Sequence, residues 1–562
     1  MNCDKIVGRM KEENVKPRSR VQRAIAHANA RVNIKWAATI LATSTLLSAV
    51  LGLYRDRLLN SMYMDTYKVG IDAYTVAFTI PDFMFFILVS GALAVSFIPV
   101  FNQRLATGNK ESAWQLSSSM INFMAIVTFV ASVLIIIFAP LLVQYVVGPG
   151  LNEQGQALAT SMMRVIAINP FIFSITAVIA SIQQAVGRFV FFALSPMLYN
   201  IGIIFGALVL TNRIDFLGWE GGIMGVALGV VVGALLQLVV SSLGLIGLKF
   251  DYQFKIFKKN LGFKKVLRLL PARSTDQGLD YVSSIVDTNL ASRMAEGTVR
   301  AYQQATTLAN MPINLIGVAI STAAFPEMTE RLGQGRPDLF KKELRKILQV
   351  IIWLAMPMAA IVFFTRGYIV SIIRVGGDSL IAGILGIMAL VILLRSVFHI
   401  ASRSFYAQQD TKTPMFISLG SIIIAIGFAI WFTMGLDMGA YGLAFAQVIW
   451  AVLEITVLFI VMNVRLKGLF TRKFVMTSLK MLAATAVMSI ATYILVSLIG
   501  LRFDDQNILM VLPQLLFIVI VSAIVYVAMS YILKINESLP IVEKVKKFFL
   551  PKPKITPPPT EE

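Results

Sequence analysis

Long apolar runs recur along this chain, separated by short polar stretches. A helix crossing a bilayer needs about 20 predominantly apolar residues. Fourteen stretches meet that need: 34–54, 72–102, 113–140, 158–185, 189–211, 222–248, 270–292, 299–327, 347–365, 380–407, 413–436, 440–463, 476–500 and 508–533. Pro81, Pro170, Pro196, Pro271, Pro312 and Pro357 fall in or near them. Such breaks are tolerated where neighbouring helices or cavity water satisfy the freed carbonyls. The pattern predicts an all-α integral membrane protein with fourteen transmembrane helices.

Composition agrees. Of 562 residues, 57% are hydrophobic and 14% charged, where a soluble domain carries about 25% charged residues. The net charge of +20 first suggests a nucleic-acid partner, but the cations cluster in alternate loops. Lys16, Arg18, Arg20, Arg23 and Arg31 precede the first span. Lys249, Lys255, Lys258, Lys259, Lys264, Lys265 and Arg268 follow the sixth. Arg331, Arg336, Lys341, Lys342, Arg345 and Lys346 follow the eighth, and Arg465, Lys467, Arg472 and Lys473 the twelfth. The tail adds Lys544, Lys546, Lys547, Lys552 and Lys554, whereas 141–157 and 437–439 have no Lys or Arg. Cations gather on the cytoplasmic side, so both termini are expected there, which requires an even number of spans. Cys3 is the only cysteine, which excludes an intramolecular disulfide and a cysteine metal cluster. Residues 1–33 lack the apolar core and cleavage site of a removable signal peptide. There is no GxxxxGK[ST], no HExxH and no nucleophile–histidine arrangement. No cofactor and no enzymatic activity are expected, and energy must come from ions, the membrane potential or a partner subunit.

The chain repeats itself. Pro99–Arg104–Leu105–Gly108 returns with identical spacing as Pro326–Arg331–Leu332–Gly335. Gln183–Gln184 returns as Gln408–Gln409, and Gly222–Gly225–Ala227 as Gly439–Gly442–Ala444. The displacements from Arg104 to Arg331, Gln183 to Gln408 and Gly225 to Gly442 are 227, 225 and 217 residues. Each landmark moves by six spans, an even number, so the halves share an orientation and form parallel repeats with a substrate cavity between them. The expected organisation is a basic segment at 1–33, an N-lobe at 34–248, a cytoplasmic linker at 249–269, a C-lobe at 270–463, two extra spans at 464–535 and a tail at 536–562. The tail, ending PKPKITPPPTEE, is too proline-rich and polar to fold alone.

Several spans carry charge. In the seventh, Arg273, Asp276, Asp280 and Asp287 fall near one helix face. Ionised groups in the hydrocarbon are costly and face a wet cavity or a partner. The stripe therefore reads as the lining of a transport pathway, or as a structural helix whose charges neutralise one another. Arg55–Asp56–Arg57 follow the first span, either as an interfacial cluster or with a guanidinium available to a phosphate. Asp72, opening the second span, reads as its N-terminal cap. Arg395, His399 and Arg403 share a face of the tenth span. Arg395 either snorkels or pairs with a seventh-span carboxylate, or it binds an anionic headgroup, and a lone histidine is more often a packing residue than a proton switch. Gln447 and Glu454 share a face of the twelfth span, and Glu454 with Asp280 or Asp287 would make a Na⁺ or H⁺ site on convergence. Gln303, Gln304, Asn310 and Asn314 can line a wet cavity or join helices by hydrogen bonds.

Three stretches resemble the MurJ/MviN group of lipid II flippases within the multidrug/oligosaccharidyl-lipid/polysaccharide exporter superfamily. They are Ser48–Asp56 (SAVLGLYRD) with Asp72-Ala73-Tyr74 and Gly91–Phe101, then Gly317–Pro326, then Phe405–Pro414 (FYAQQDTKTP), the most specific. The resemblance covers roughly residues 35–535. It implies two six-helix lobes around a cationic cavity, with spans thirteen and fourteen forming a groove for a polyprenyl tail. Of the family's polar set, Arg55, Asp56 and Asp72 carry over. Ala49 and Thr307 stand where the family has arginines, and Phe85, Phe86 and Ser90 follow Pro81-Asp82 where it has arginine and then glutamate. Arg273 and Arg395 are the candidate substitutes for binding a diphosphate. The resemblance implies a flippase moving a lipid-linked peptidoglycan precursor across the bacterial cell membrane by alternating access. A flippase for another lipid-linked oligosaccharide and a cation-coupled multidrug exporter are the rival readings.

Overall fold

The computed structural model describes residues 34–540 except 91, 92, 212–221, 249, 258 and 502–506, together with 25, 28, 29, 542 and 543. Within its helices, the side chains of 34, 35, 37, 38, 90, 93–96, 268–277 and 279 lie outside that description. Each of the fourteen predicted stretches falls on helix. Among the described residues, twelve helical segments are long and apolar enough to cross a membrane. The predicted spans 34–54 and 270–292 correspond to Ile34–Tyr63 and Leu261–Ser292, which fall outside those twelve, so the count of fourteen remains an expectation. Rows of exposed apolar residues mark the lipid-facing sides: Ile126, Phe129, Val130, Leu134 and Ile137 along one helix, Leu516, Ile520 and Ile524 along another. A water-soluble chain does not leave such surfaces uncovered.

The chain divides into two compact units, Met1–Gln303 and Gln304–Glu562. The first contains α1 (Ile34–Tyr63), α2 (Lys68–Phe85), α3 (Leu93–Ala106), α4 (Lys110–Leu141), α5 (Glu153–Ile166), α6 (Asn169–Val186), α7 (Val190–Phe205), α8 (Ile223–Leu243) and α9 (Leu261–Ser292). It also takes the opening of α10 (Thr298–Ile313). Asparagines start three of these helices. Asn109 accepts from Ser112 N–H, Asn152 from Gly155 N–H, and Asn260 from Gly262 and Phe263 N–H, satisfying donors that the first turn leaves open. Phe97, Phe101, Leu116, Met120 and Ile182 form the core between α3, α4 and α6. Helix α9 packs along α2, α3 and α4.

The second unit continues with α11 (Ala319–Gly333), α12 (Pro337–Ile373), α13 (Ser379–Ala407), α14 (Lys412–Ile430), α15 (Ala440–Arg465), α16 (Arg472–Ile499) and α17 (Ile508–Ile532). Phe340, Leu344, Phe405, Leu458 and Met462 are its main core. The last two spans, α16 and α17, pack on α12 through Trp353, Met481, Met488 and Tyr526, and Trp353 Nε1–H donates to Ser530 Oγ at 3.1 Å. The FYAQQDTKTP stretch is a turn between α13 and α14. Gln409 takes φ 62°, and Asp410 caps α14 through Thr413 N–H and hydroxyl while pairing with Arg465 at 2.8 Å. Desolvation opposes its charge, but the Thr413 hydrogen bonds and Arg465 outweigh it and hold Asp410 down at about 2.

The repeat reappears as backbone geometry. Span two is interrupted by a π-helical turn at Phe86–Ser90 and span eight by one at Asn314–Val318. Span five ends in such a turn at Gly206–Leu210 and span eleven at Trp431–Gly435. From Phe86 to Asn314 is 228 residues and from Gly206 to Trp431 is 225, close to the sequence displacements. Glycines let α7 and α8 meet backbone to backbone: a Cβ on Gly229 would lie 2.6 Å from Gly206 Cα, and one on Gly202 would lie 2.2 Å from Gly233 Cα. Close approach through small residues is the usual route to helix association in lipid. Gly229→Leu should therefore remove most folded protein from the membrane. Gly427→Leu, with nothing within 4 Å of its would-be Cβ, should leave it. Equal monodisperse yields by fluorescence-detected size exclusion would contradict this packing.

Candidate functional site

Inside the first unit, α1, α2, α6, α7, α8 and the start of α10 enclose a cavity of about 640 Å³. Its charged lining residues are Arg55, Asp56, Asp82 and Arg300, two cations and two anions. Asp56 joins the arginines: its Oδ1 lies 3.0 Å from Arg55 Nη2 and 3.0 Å from Arg300 Nη2. Arg55 also donates to Asn200 Oδ1 at 3.0 Å, and Asn200 is tied to Ser48. Arg300 adds Asn60 Oδ1 through Nε and Gln303 Oε1 through Nη1, each at 3.3 Å. The Arg300 side chain is 5% exposed and that of Arg55 24%. Arg300 is thus enclosed by its partners, while the Arg55 side chain, which donates to Asp56 and Asn200, stays partly exposed.

Asp72 helps hold this node in place through the backbone of Arg300. The sequence suggests that it caps its own helix, but the N-terminal residue before α2 is Tyr67, without a side-chain cap. Asp72 instead caps α10. Its Oδ2 accepts Gly297 N–H at 2.6 Å and its Oδ1 accepts Arg300 N–H at 2.9 Å. Span two thereby fixes the first turn of span eight, and with it the Arg300 side chain. A cation in the first turn of a helix opposes the macrodipole. Three carboxylate oxygens around that turn compensate. That mismatch is the signal in TVRAYQQ from which Arg300, absent from the sequence-based candidates, could have been found. Asp82 was missed likewise, although an ionisable residue in mid-span is a functional candidate by default.

The remaining candidates fall elsewhere. Arg395 and Glu454 both lie in the second unit and pair with each other at 3.1 Å. The Arg395 guanidinium covers the Trp450 ring, 3.9 Å from its centroid, and Ser418 donates to the other Glu454 oxygen. This pairing gives each residue a charged partner within its own unit, and the headgroup and small-cation roles expected of them stand beside it as proposals. The backbone of Arg273 and Asp276 lies in α9, but their side chains fall outside the described residues. Asp280 is exposed, while Asp287 is buried and accepts from Tyr302 Oη at 3.2 Å. The stripe is therefore unevenly covered, because Tyr302 of α10 closes over one end. His399 lies beside Gly317, whose would-be Cβ approaches its ring at 3.2 Å, as suits a packing residue.

The fold is that of a known transporter class. A solved lipid II flippase MurJ structure in an inward-closed conformation matches with a TM-score of 0.69 and 22% identity, over 88% of this chain and 98% of that one. An inward-facing multidrug resistance MATE transporter of the MOP superfamily matches with a TM-score of 0.64 and 16% identity, over 77% of this chain and 98% of that one. The molecule is thus an all-helical, many-span membrane protein of the fold these transporters share. The profile of the lipid II flippase MurJ family matches residues 67–514, and the chain belongs to that family. A probable lipid II flippase MurJ of Thermotoga maritima is 27% identical over 500 residues, 88% of this chain and 95% of the relative. The lipid II flippase MurJ of Burkholderia cenocepacia is 27% identical over 394 residues, 68% of this chain and 74% of the relative.

Proposed function

We infer that this protein flips lipid II, a polyprenyl-diphosphate-linked peptidoglycan precursor, from the cytoplasmic to the outer leaflet of the bacterial cell membrane. Family membership across residues 67–514 carries the reading. The site fits it chemically. Arg55 lines the cavity and is partly exposed, and a guanidinium is the side chain suited to diphosphate oxygens. Asp56 orients Arg55, and Arg300, held through Asp72, orients Asp56. Transport proceeds by alternating access: the headgroup enters the cavity from inside, the lobes rock, and it leaves outside while its tail stays in lipid. The exposed apolar faces of α16 and α17 support a role for them in holding the tail. Asp280 and Asp287 remain the candidates for coupling to Na⁺ or H⁺, and Arg273 for a further headgroup contact.

Vesicles containing the protein and fluorescent lipid II test the function. Outer-leaflet lipid II exposed to a membrane-impermeant reagent should equilibrate with the inner pool. Equilibration no faster than in protein-free vesicles, under any imposed Na⁺, pH or voltage gradient, would refute the assignment.

The alternating loop cations support fourteen spans with both termini cytoplasmic. In a Cys3→Ser background, Asp437→Cys should react with an impermeant maleimide in intact cells. Lys258→Cys should react only after permeabilisation, and the reverse pattern would invert the topology.

A further inference from the structure

One charged group of the cavity stands apart from the arginine node. Asp82 lies mid-span in α2 and lines the cavity. Both cavity arginines turn to Asp56, and no hydrogen bond or ion pair reaches the Asp82 carboxylate among the described residues. Its surroundings are aromatic. Phe85 and Phe86 follow at i+3 and i+4 on the same helix face. From them the rings run on in both directions, Tyr281–Phe86–Phe85–Phe173–Tyr199, with successive centroids 4.3, 5.4, 5.5 and 5.3 Å apart. Tyr74, Tyr199 and Tyr281 lie within electrostatic reach of the carboxylate.

An unpaired carboxylate among rings is costly unless a cation meets it. Ring faces attract cations through their quadrupoles, and organic ammonium ions above all. A small inorganic cation needs a full shell of about six or more oxygens, more than one carboxylate and the three nearby tyrosine hydroxyls supply. We propose that Asp82 and this arc of rings form a subsite for a primary ammonium group on the transported headgroup, in the same cavity as the Arg55 anion site. The proposal rests on the headgroup reading above. The cavity then recognises a zwitterionic ligand: Arg55 takes its phosphate, and Asp82 takes its amine. Selectivity for a precursor with a free side-chain amine follows.

The test compares lipid II bearing a free lysine ε-amine with its Nε-acetylated form, bound to the full-length protein in detergent. The parent should bind the free amine about tenfold more tightly, the scale of one charge-assisted hydrogen bond. Asp82→Asn should bind both forms alike, at the parent's affinity for the acetylated lipid, and Asp82→Glu should restore part of the preference. An equal preference in parent and Asp82→Asn, or none in the parent, overturns the proposal and leaves the flippase assignment standing. In a second arm, n-butylammonium chloride should raise the thermal midpoint of the parent and not of Asp82→Asn, against NaCl at equal ionic strength. Equal protection by Na⁺ overturns the ammonium assignment. Protection by the amine without binding of either lipid keeps the subsite and refutes the headgroup reading instead.

Discussion

Arg300→Ala is expected to abolish growth complementation and lipid II flipping, and to destabilise the first unit as well. Its side chain makes contacts to Asp56, Asn60 and Gln303 at 3.0, 3.3 and 3.3 Å, and alanine leaves all three polar groups facing one another in a buried place. Removing one partner of a buried ion pair costs about 3–5 kcal/mol, because the other charge stays behind uncompensated. Arg55 alone then neutralises Asp56, so its guanidinium is drawn from the cavity toward the carboxylate. Stability and function can be separated with Arg300→Lys. A lysine keeps the charge near Asp56 and should recover folded protein. An ammonium cannot hold three acceptors in the fixed geometry of a guanidinium, so flipping should remain at least about tenfold slower, one misplaced charge-assisted contact. Flipping at the parent's rate by Arg300→Lys would show that the node supplies charge only, without orientation.

The fold was legible because the bilayer demands helices of a fixed length. Every predicted stretch lies on helix. Where the edges differ, the reason is physical. The stretch 347–365 extends to Pro337–Ile373 because its first turns are amphipathic: Phe340 and Leu344 enter the core while Lys342, Arg345 and Lys346 stay outside it. Span two reads as one run from 72 to 102, yet it contains a π-helical turn at Phe86–Ser90. Such a turn has no compositional signature, so only its recurrence at the matching place in the repeat, Asn314–Val318, reveals that it belongs to the design.

The site was legible by type more than by partner. Of the charges that the sequence singles out, Arg55 and Asp56 line the cavity, Asp72 caps the helix that carries Arg300, and Arg395 and Glu454 pair in the second unit. Their partners were not readable, because contacts between spans join residues far apart in the chain. Asp72 meets Gly297 and Arg300 across 225 and 228 positions, and an aspartate near a helix start looks like that helix's own cap. Arg300 was hidden by a different effect. It sits at a span boundary, where cations are usual and read as interfacial anchors, whereas the structure buries it.

The Arg395–Glu454 pair should behave oppositely in single and double substitutions. Glu454 is 1% exposed and Arg395 12%, so each charge depends on the other. Arg395→Met strands a buried carboxylate whose charge the Ser418 hydroxyl does not neutralise. Glu454→Met strands a guanidinium over the Trp450 and Phe398 rings. Either single change should cost about 3–5 kcal/mol and lower the yield of folded protein. The double change, Arg395→Met with Glu454→Met, removes both charges and fills the space with apolar atoms. Buried ion pairs replaced in this way often leave stability unchanged or improved by about 1–4 kcal/mol. The double variant should therefore melt near the parent's midpoint in detergent. It should also flip lipid II if the pair's role is to neutralise two buried charges within the second unit. A double variant that folds like the parent yet cannot flip would return Arg395 to the substrate path. One that unfolds as readily as the single variants would show that the charges contribute to this helix packing beyond neutralising each other.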